Sequence, residues 1–228
     1  MISVILPAHN EASTILQSTK RLTKFLDTLN HKYEIIIAED GSTDNTVNIA
    51  RSLTSEKLKV LSSKQKLGRG LALSNSIRFA KGKIVVYMDV DLATNLPHLK
   101  TMIQEIEQGA DIVTGSRLMK KSQVSNRSTT RNFFSNGYNL LLRILFGSRL
   151  LDHQCGFKAF KKSSILPLLP EISDPHWFWD TELLILAQRK NLKIIEIPVK
   201  WTDKKNSKVN LLSDIPYMGL AMLKLRFK

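Results

Sequence analysis

The sequence predicts an α/β domain with a mostly parallel sheet and helices on both of its faces. Three observations predict it. Short β-branched runs alternate with helical stretches through the first 117 residues, the pattern of repeated βα units. A polar or glycine-containing cluster follows each of the main runs, where open α/β sheets carry their ligands. Apolar residues make up 43% of 228, enough for one large core, and no linker divides the chain. The expected organisation is a single domain over 1–228, with a ligand-binding half at 1–117 and a second half at 118–228.

Ile2–Pro7 (ISVILP) reads as a strand, followed by a helix from about Glu11 to Leu29. Tyr33–Glu39 (YEIIIAE) is a second strand, after which Ser42 or Thr43 is expected to cap a helix reaching about Leu53. Leu58–Ser63 (LKVLSS) is a short third strand, and Arg69–Ala80 a helix. Lys83–Ala93 (KIVVYMDVDLA) is an apolar run that reads as a buried parallel strand. A helix follows Asn95-Leu96-Pro97, with Pro in a first-turn position. Ala110–Arg117 is a fifth strand. Beyond it, residues 119–132 (KK, NRSTTRN) are polar and basic and read as a mobile loop. Phe133–Leu151 reads as an apolar helix, Phe178–Lys190 as an amphipathic one, and LKIIEIPVKW as a late strand. The basic loop TDKKNSKVN leads to an amphipathic helix from Leu211 to Lys228.

Charge narrows the class. The 34 Lys and Arg against 20 Asp and Glu give +14, which favours phosphates, an anionic membrane surface or nucleic acid. Aromatics do not interleave with the basic stretches and no nucleic-acid module is visible, so no nucleic-acid partner is expected. The single Cys155 rules out an internal disulfide. No leader is expected ahead of the first strand, and no apolar stretch reaches the about 18 residues of a membrane-spanning helix.

Four clusters sit at expected strand ends: Pro7-Ala8-His9-Asn10-Glu11, Glu39-Asp40-Gly41-Ser42-Thr43-Asp44, Lys66-Leu67-Gly68-Arg69-Gly70, and the pair Asp89/Asp91. Strand alternation would turn both Asp carboxylates to one side, where their repulsion calls for a cation. Oxygen ligands beside a diphosphate select Mg²⁺ or Mn²⁺. Asp40 is expected to accept a hydrogen bond from a base or ribose. The glycines of the third cluster would let backbone amides approach an anion. That string fits neither the P-loop nor the dinucleotide fingerprint.

Together PAHNE, EDGSTDNT, LGRG and DVDL resemble the signature of family 2 glycosyltransferases with the GT-A (Rossmann-like) fold. Gly115-Ser116-Arg117, DHQCGFK, WDTELL and EIPVKWTDKKNSKV resemble the dolichyl-phosphate hexose synthases, and the QCGFK and WDTELL forms the dolichyl-phosphate glucosyltransferase branch. The resemblance covers about Ile2 to Val209. It implies nucleotide-sugar contacts at Pro7, Ala8, His9, Glu11, Ala38 and Asp40, with Asp89, Val90 and Asp91 along the diphosphate. It implies Asp91 as leading metal ligand with Asp89 beside it, and Lys204 and Lys208 closing over the diphosphate. Arg117, Arg131 and Ser135 would hold the acceptor phosphate. His9 stands where Tyr is common. Ala93 stands where mannosyl relatives carry a ligand Gln, leaving that position to a backbone carbonyl or water.

The implied reaction moves a hexose, glucose favoured, from a nucleotide sugar, UDP-glucose favoured, to a polyprenyl or dolichyl phosphate with inversion. A phosphate monoester is already anionic at pH 7 and needs no base. Asp180 would then orient basic residues of the acceptor site; with a hydroxyl acceptor it would be the base. A GDP-mannose-dependent mannosyltransferase is the other alternative. The lipid acceptor makes the apolar Phe133–Phe146 segment and the C-terminal helix candidates for lying in a membrane interface, with Arg143 and Arg149 interleaved. The expected protein is peripheral, on the cytoplasmic face of a membrane, and a possible homodimer.

Overall fold

The computed structural model describes residues 1–204 and 211–228. The first half builds βα units: β1 (Ile2–Ala8), α1 (Ile15–Leu26), β2 (Tyr33–Asp40), α2 (Thr46–Ser52), β3 (Leu58–Ser63), α3 (Arg69–Phe79), β4 (Ile84–Met88), α4 (His98–Glu107) and β5 (Ile112–Ser116). The second half adds β6 (Gln123–Ser125), α5 (Thr129–Phe146), β7 (Phe157–Lys161), α6 (Lys162–Ile165), α7 (Trp179–Arg189), β8 (Ile194–Pro198), β9 (Lys200–Thr202) and α8 (Leu211–Arg226).

Seven strands form one sheet in the order β3-β2-β1-β4-β7-β5-β8. Strands β1 to β4 are parallel neighbours, and β5 pairs parallel with β8. Strand β7 runs antiparallel to both β4 and β5 and sits between them. The sheet is buried on both faces. Val4, Leu6, Ile35, Ile37 and Val86 pack on one side, and Ile5, Ile36, Val85, Tyr87 and Phe160 on the other. Period-2 alternation between two cores explains why β1 and β2 read as unbroken apolar runs.

Local expectations shift in four places. Helix α2 starts at Thr46 behind Asn45, not at a Ser42 or Thr43 cap, because the Ser42 hydroxyl instead accepts from the Asn10 amide at 2.9 Å. The basic stretch expected as a mobile loop contains β6, which pairs parallel with β9 in a small second sheet. The late strand is therefore split, with β8 in the large sheet and β9 in the small one. Helix α7 is not amphipathic: every residue from Trp179 to Ala187 is buried, since it lies between the sheet and a third core formed with α5 and α8.

Candidate active site

Strands β1 and β2 end side by side, with Pro7 paired to Ala38 and Ala8 to Glu39. Just beyond, the His9 Nδ1–H donates to the Asp40 carbonyl at 2.8 Å, which fixes the ring against the end of β2. The Glu11 amide donates to the Thr46 hydroxyl at 2.7 Å and ties the first cluster to α2. Asp40 is engaged within the protein. Its buried carboxylate accepts from the Leu67 amide at 2.6 Å and the Gly68 amide at 3.0 Å. The Gly70 and Leu71 amides donate to the Pro175 carbonyl. The Leu67, Gly68 and Gly70 amides of the LGRG turn, and that of Leu71 after it, are thus consumed within the protein and do not join the expected anion cradle. What the turn presents instead is the Arg69 side chain.

Asp89 and Asp91 lie past the end of β4, in a turn where Leu92 takes a left-handed φ of 52°. Turn geometry rather than strand alternation therefore sets their relation, and the two carboxylates have different surroundings. Asp89 is held. The Arg69 guanidinium spans it and Asp180, with Nη2 3.0 Å from Asp89 and Nη1 2.8 Å from Asp180. Gly156 lies so close that a Cβ there would fall 2.1 Å from an Asp89 oxygen, and its carbonyl accepts from the Asp89 amide. Gly156→Ala should therefore dislodge Asp89 and cut turnover by about 100-fold or more while sparing secondary structure, since misplacement of about 1 Å costs that much. A steady-state assay beside circular dichroism reads both, and an active Gly156→Ala enzyme would mean the Asp89 position is not critical.

Asp91 has no such partner among the described side chains. Burial, then the neighbouring Asp89 carboxylate, push its pKa up to about 6. Glu11 adds to that push and Lys204, which is exposed, opposes it. Val90 points inward and is buried in the core. The Ala93 amide donates to Asp91 at 3.0 Å, and the Ala93 carbonyl accepts from Thr202, so that carbonyl is already engaged rather than waiting as a ligand. Lys208 and its neighbour Lys205 lie outside the described residues.

Asp180 sits in the first turn of α7 and is 2% exposed. It receives Arg69, the Tyr87 hydroxyl and the Nζ of Lys158, the last at 2.8 Å. Lys158 rises from the middle of β7, is fully buried, and also donates to the Cys155 and His153 carbonyls at 2.7 and 3.1 Å. Burial would raise the Asp180 pKa, but the Lys158 and Arg69 cations outweigh it and hold the carboxyl below its usual range. Asp180 contacts neither Arg117 nor Arg131, so it does not orient them as expected.

Those two arginines have their own carboxylates. Arg117 grips the fully buried Asp152 bidentately, Nε to Oδ2 at 2.8 Å and Nη2 to Oδ1 at 2.9 Å. Arg131 pairs with Asp203. Ser135, one turn along α5 and half-buried, uses its carbonyl to accept from the Asn139 side chain at 2.8 Å. Trp201 of β9 lies under this group, with the Arg117 guanidinium 5.6 Å from its ring centre. Trp201 also bridges to Thr94, which joins the basic group to the segment that follows Asp91.

Residues 3–167 match the family model described as Glycosyl transferase family 2, well over half of the chain. The chain belongs to that family. It is 42% identical over 231 residues to glycosyltransferase AglD of Haloferax volcanii, covering 98% of this chain and 36% of that protein. It is 32% identical to a dolichyl-phosphate beta-glucosyltransferase of Dictyostelium discoideum, covering 100% of this chain and 74% of that one. This transferase thus spans about a third of its Haloferax relative. Among solved structures, glucosyl-3-phosphoglycerate synthase of Mycobacterium tuberculosis in complex with Mn²⁺, UDP-glucose and phosphoglyceric acid superposes with a TM-score of 0.74. The identity is 21%, and 99% of this chain and 79% of that one are covered. That likeness is one of fold, and the fold is GT-A.

The donor set of the transferase fits a divalent cation in one particular way. No three acidic, His or Cys side chains converge to hold a metal among the described residues. One desolvated carboxylate, Asp91, stands beside a second that is already ion-paired. Mg²⁺ and Mn²⁺ suit such a site when phosphate oxygens complete the shell. Two residues of this transferase escaped sequence reasoning in their present roles. Arg69 was read only as part of a glycine turn, and Lys158 only as a letter of DHQCGFK. A Lys inside the apolar run FKAF was the available signal, because a buried Lys needs a buried partner.

Proposed function

We propose that the transferase moves glucose from UDP-glucose to a polyprenyl or dolichyl phosphate, inverting the anomeric centre. The observation that carries this is the condition of Asp180. A hydroxyl acceptor needs a base, and the carboxylate available for it is sequestered by Arg69, Lys158 and Tyr87, with its proton affinity lowered. A phosphate monoester arrives already ionised and needs none. Its oxygen would bond to the anomeric carbon as the bond to the donor diphosphate breaks and UDP departs. Held by Asp91 and the diphosphate, Mg²⁺ or Mn²⁺ would supply Lewis-acid stabilisation of the leaving group. Arg69 keeps Asp89 in place, while Arg117, Arg131 and Ser135 face the acceptor anion. The Dictyostelium relative's name supports the glucosyl donor and lipid acceptor.

A membrane surface is part of the proposal. Phe133, Leu140, Leu141 and Ile144 share one face of α5 and are 75%, 50%, 49% and 69% exposed. Leu220 and Leu223 of α8, and Phe227 just past its end, are exposed likewise, with Phe227 at 88%. No described helix is long and apolar enough to cross a membrane. Phe133→Glu with Ile144→Glu should lower the partition constant for vesicles of anionic lipid by about 100-fold or more, read by co-sedimentation, at unchanged UDP affinity, as two buried side chains are each worth about 1.5–3 kcal/mol. Equal sedimentation would remove α5 from the interface.

The deciding experiment offers radiolabelled UDP-glucose, GDP-mannose and UDP-N-acetylglucosamine, with Mg²⁺ or Mn²⁺, to membranes containing polyprenyl phosphate. An organic-soluble, mild-acid-labile product from UDP-glucose is expected. The same product from another donor changes the sugar. Lipid product from none of them, beside metal-dependent UDP binding, turns the proposal toward a hydroxyl acceptor.

A further inference from the structure

Arg127 stands between β6 and α5, in the turn where Asn126 takes a left-handed φ of 62°. Its guanidinium lies 5.9 Å from the Trp201 ring centre, over the same ring that Arg117 covers. Arg117 is neutralised by Asp152 and Arg131 by Asp203, whereas Arg127 has neither a hydrogen bond nor an ion pair among the described residues. Its Nε is buried without a partner. Three guanidiniums therefore share two carboxylates, and the charge left unanswered is that of Arg127. Burial, then the adjacent Arg117 cation, pull its pKa down to about 10. A half-buried, unpaired cation is costly unless an anion completes it.

We propose that Arg127 is a direct phosphate-binding residue of the acceptor site, supplying the open guanidinium fork while Arg117 and Arg131 stay on their carboxylates. This rests on the lipid-phosphate reading above and names the residue that takes the phosphate. A phosphate monoester carries about −1.5 to −2 charges at pH 7, and a planar guanidinium meets two of its oxygens at once. The Trp201 ring backs the fork and keeps it flat against its ligand. The donor's diphosphate, which the reading above puts by Asp91, is the other possible anion, and the Kd for UDP separates the two.

The test uses the full chain with farnesyl phosphate as acceptor and UDP-glucose with Mn²⁺ as donor. Arg127→Gln should raise KM for farnesyl phosphate by about tenfold or more, one lost charge-assisted fork, with kcat and the Kd for UDP within about twofold of wild type. Inorganic phosphate should lose potency as a competitor of farnesyl phosphate in the same variant. Arg127→Lys, which keeps the charge and the stem, should lie between the two and guards against a variant that fails to fold. If wild type transfers to farnesyl phosphate and both variants match its KM, Arg127 is not the ligand and the lipid-phosphate reading stands. A raised Kd for UDP with unchanged acceptor KM assigns Arg127 to the donor and overturns the proposal. If wild type neither binds nor glycosylates farnesyl phosphate, the reading itself falls and Arg127 falls with it.

Discussion

Asp91→Asn should abolish metal-dependent turnover, lowering kcat by about 10³-fold or more, the order of several kcal/mol of lost Lewis-acid stabilisation. The fold should survive, because among the described residues Asp91 makes only one short-range backbone bond, to Ala93. In the metal-free protein the substitution should even stabilise. The folded pKa of Asp91, about 6, stands above its ordinary 3.8, so its favourable contribution is full below about pH 4 and is lost as pH rises through 6. Asp91→Asn should thus melt at or above the wild-type temperature at pH 7.5 and converge with it near pH 4. Added Mn²⁺ with UDP should raise the wild-type melting temperature and leave the variant's unmoved. The wild-type increment should shrink below pH 6, where protons compete for the same oxygens. Normal metal-dependent turnover in Asp91→Asn would remove the role assigned here.

Asp180→Ala should be damaging for a different reason. It strands Lys158, which is fully buried, and the guanidinium of Arg69, which is 15% exposed. Removing one partner of a buried ion pair costs about 3–5 kcal/mol. For a chain of this size that is a fall in melting temperature of roughly 10 °C, at about 2–4 °C per kcal/mol. Activity should fall as well, through release of Arg69 and so of Asp89. A base would behave otherwise: its loss would leave the melting temperature unchanged and remove the rising limb of the pH–rate profile. Thermal melting and a pH profile of Asp180→Ala and Asp180→Asn separate the two roles.

The βα alternation was legible because each unit is local: an apolar run, a turn cluster and a helix within about 30 residues. The DVDL pair was legible for the same reason. What the sequence does not display depends on partners far along the chain. The tie between Asp40 and the LGRG turn is invisible in the sequence, because the two lie 27 residues apart. The basic partners of Asp180 are likewise distant: Lys158 from another element and Arg69 from 111 residues upstream. Arg127 carried no motif at all. Its distinction is an unanswered charge, which exists only once Asp152 and Asp203 have been claimed by the other two arginines.

The antiparallel strand β7 has a consequence for how the chain folds. It is the last central strand to be made, and it pairs with β4, about 75 residues earlier, on one side and with β5 on the other. Until residue 161 is available, β4 and β5 each carry a row of unpaired backbone groups where the centre of the sheet will be. Such open edges are templates for aggregation. A fragment ending at Arg117 would hold the donor clusters of β1, β2 and β4 and still lack the strand that zips its sheet shut. Completing the sheet therefore waits on a long-range closure, the kind of contact that slows folding.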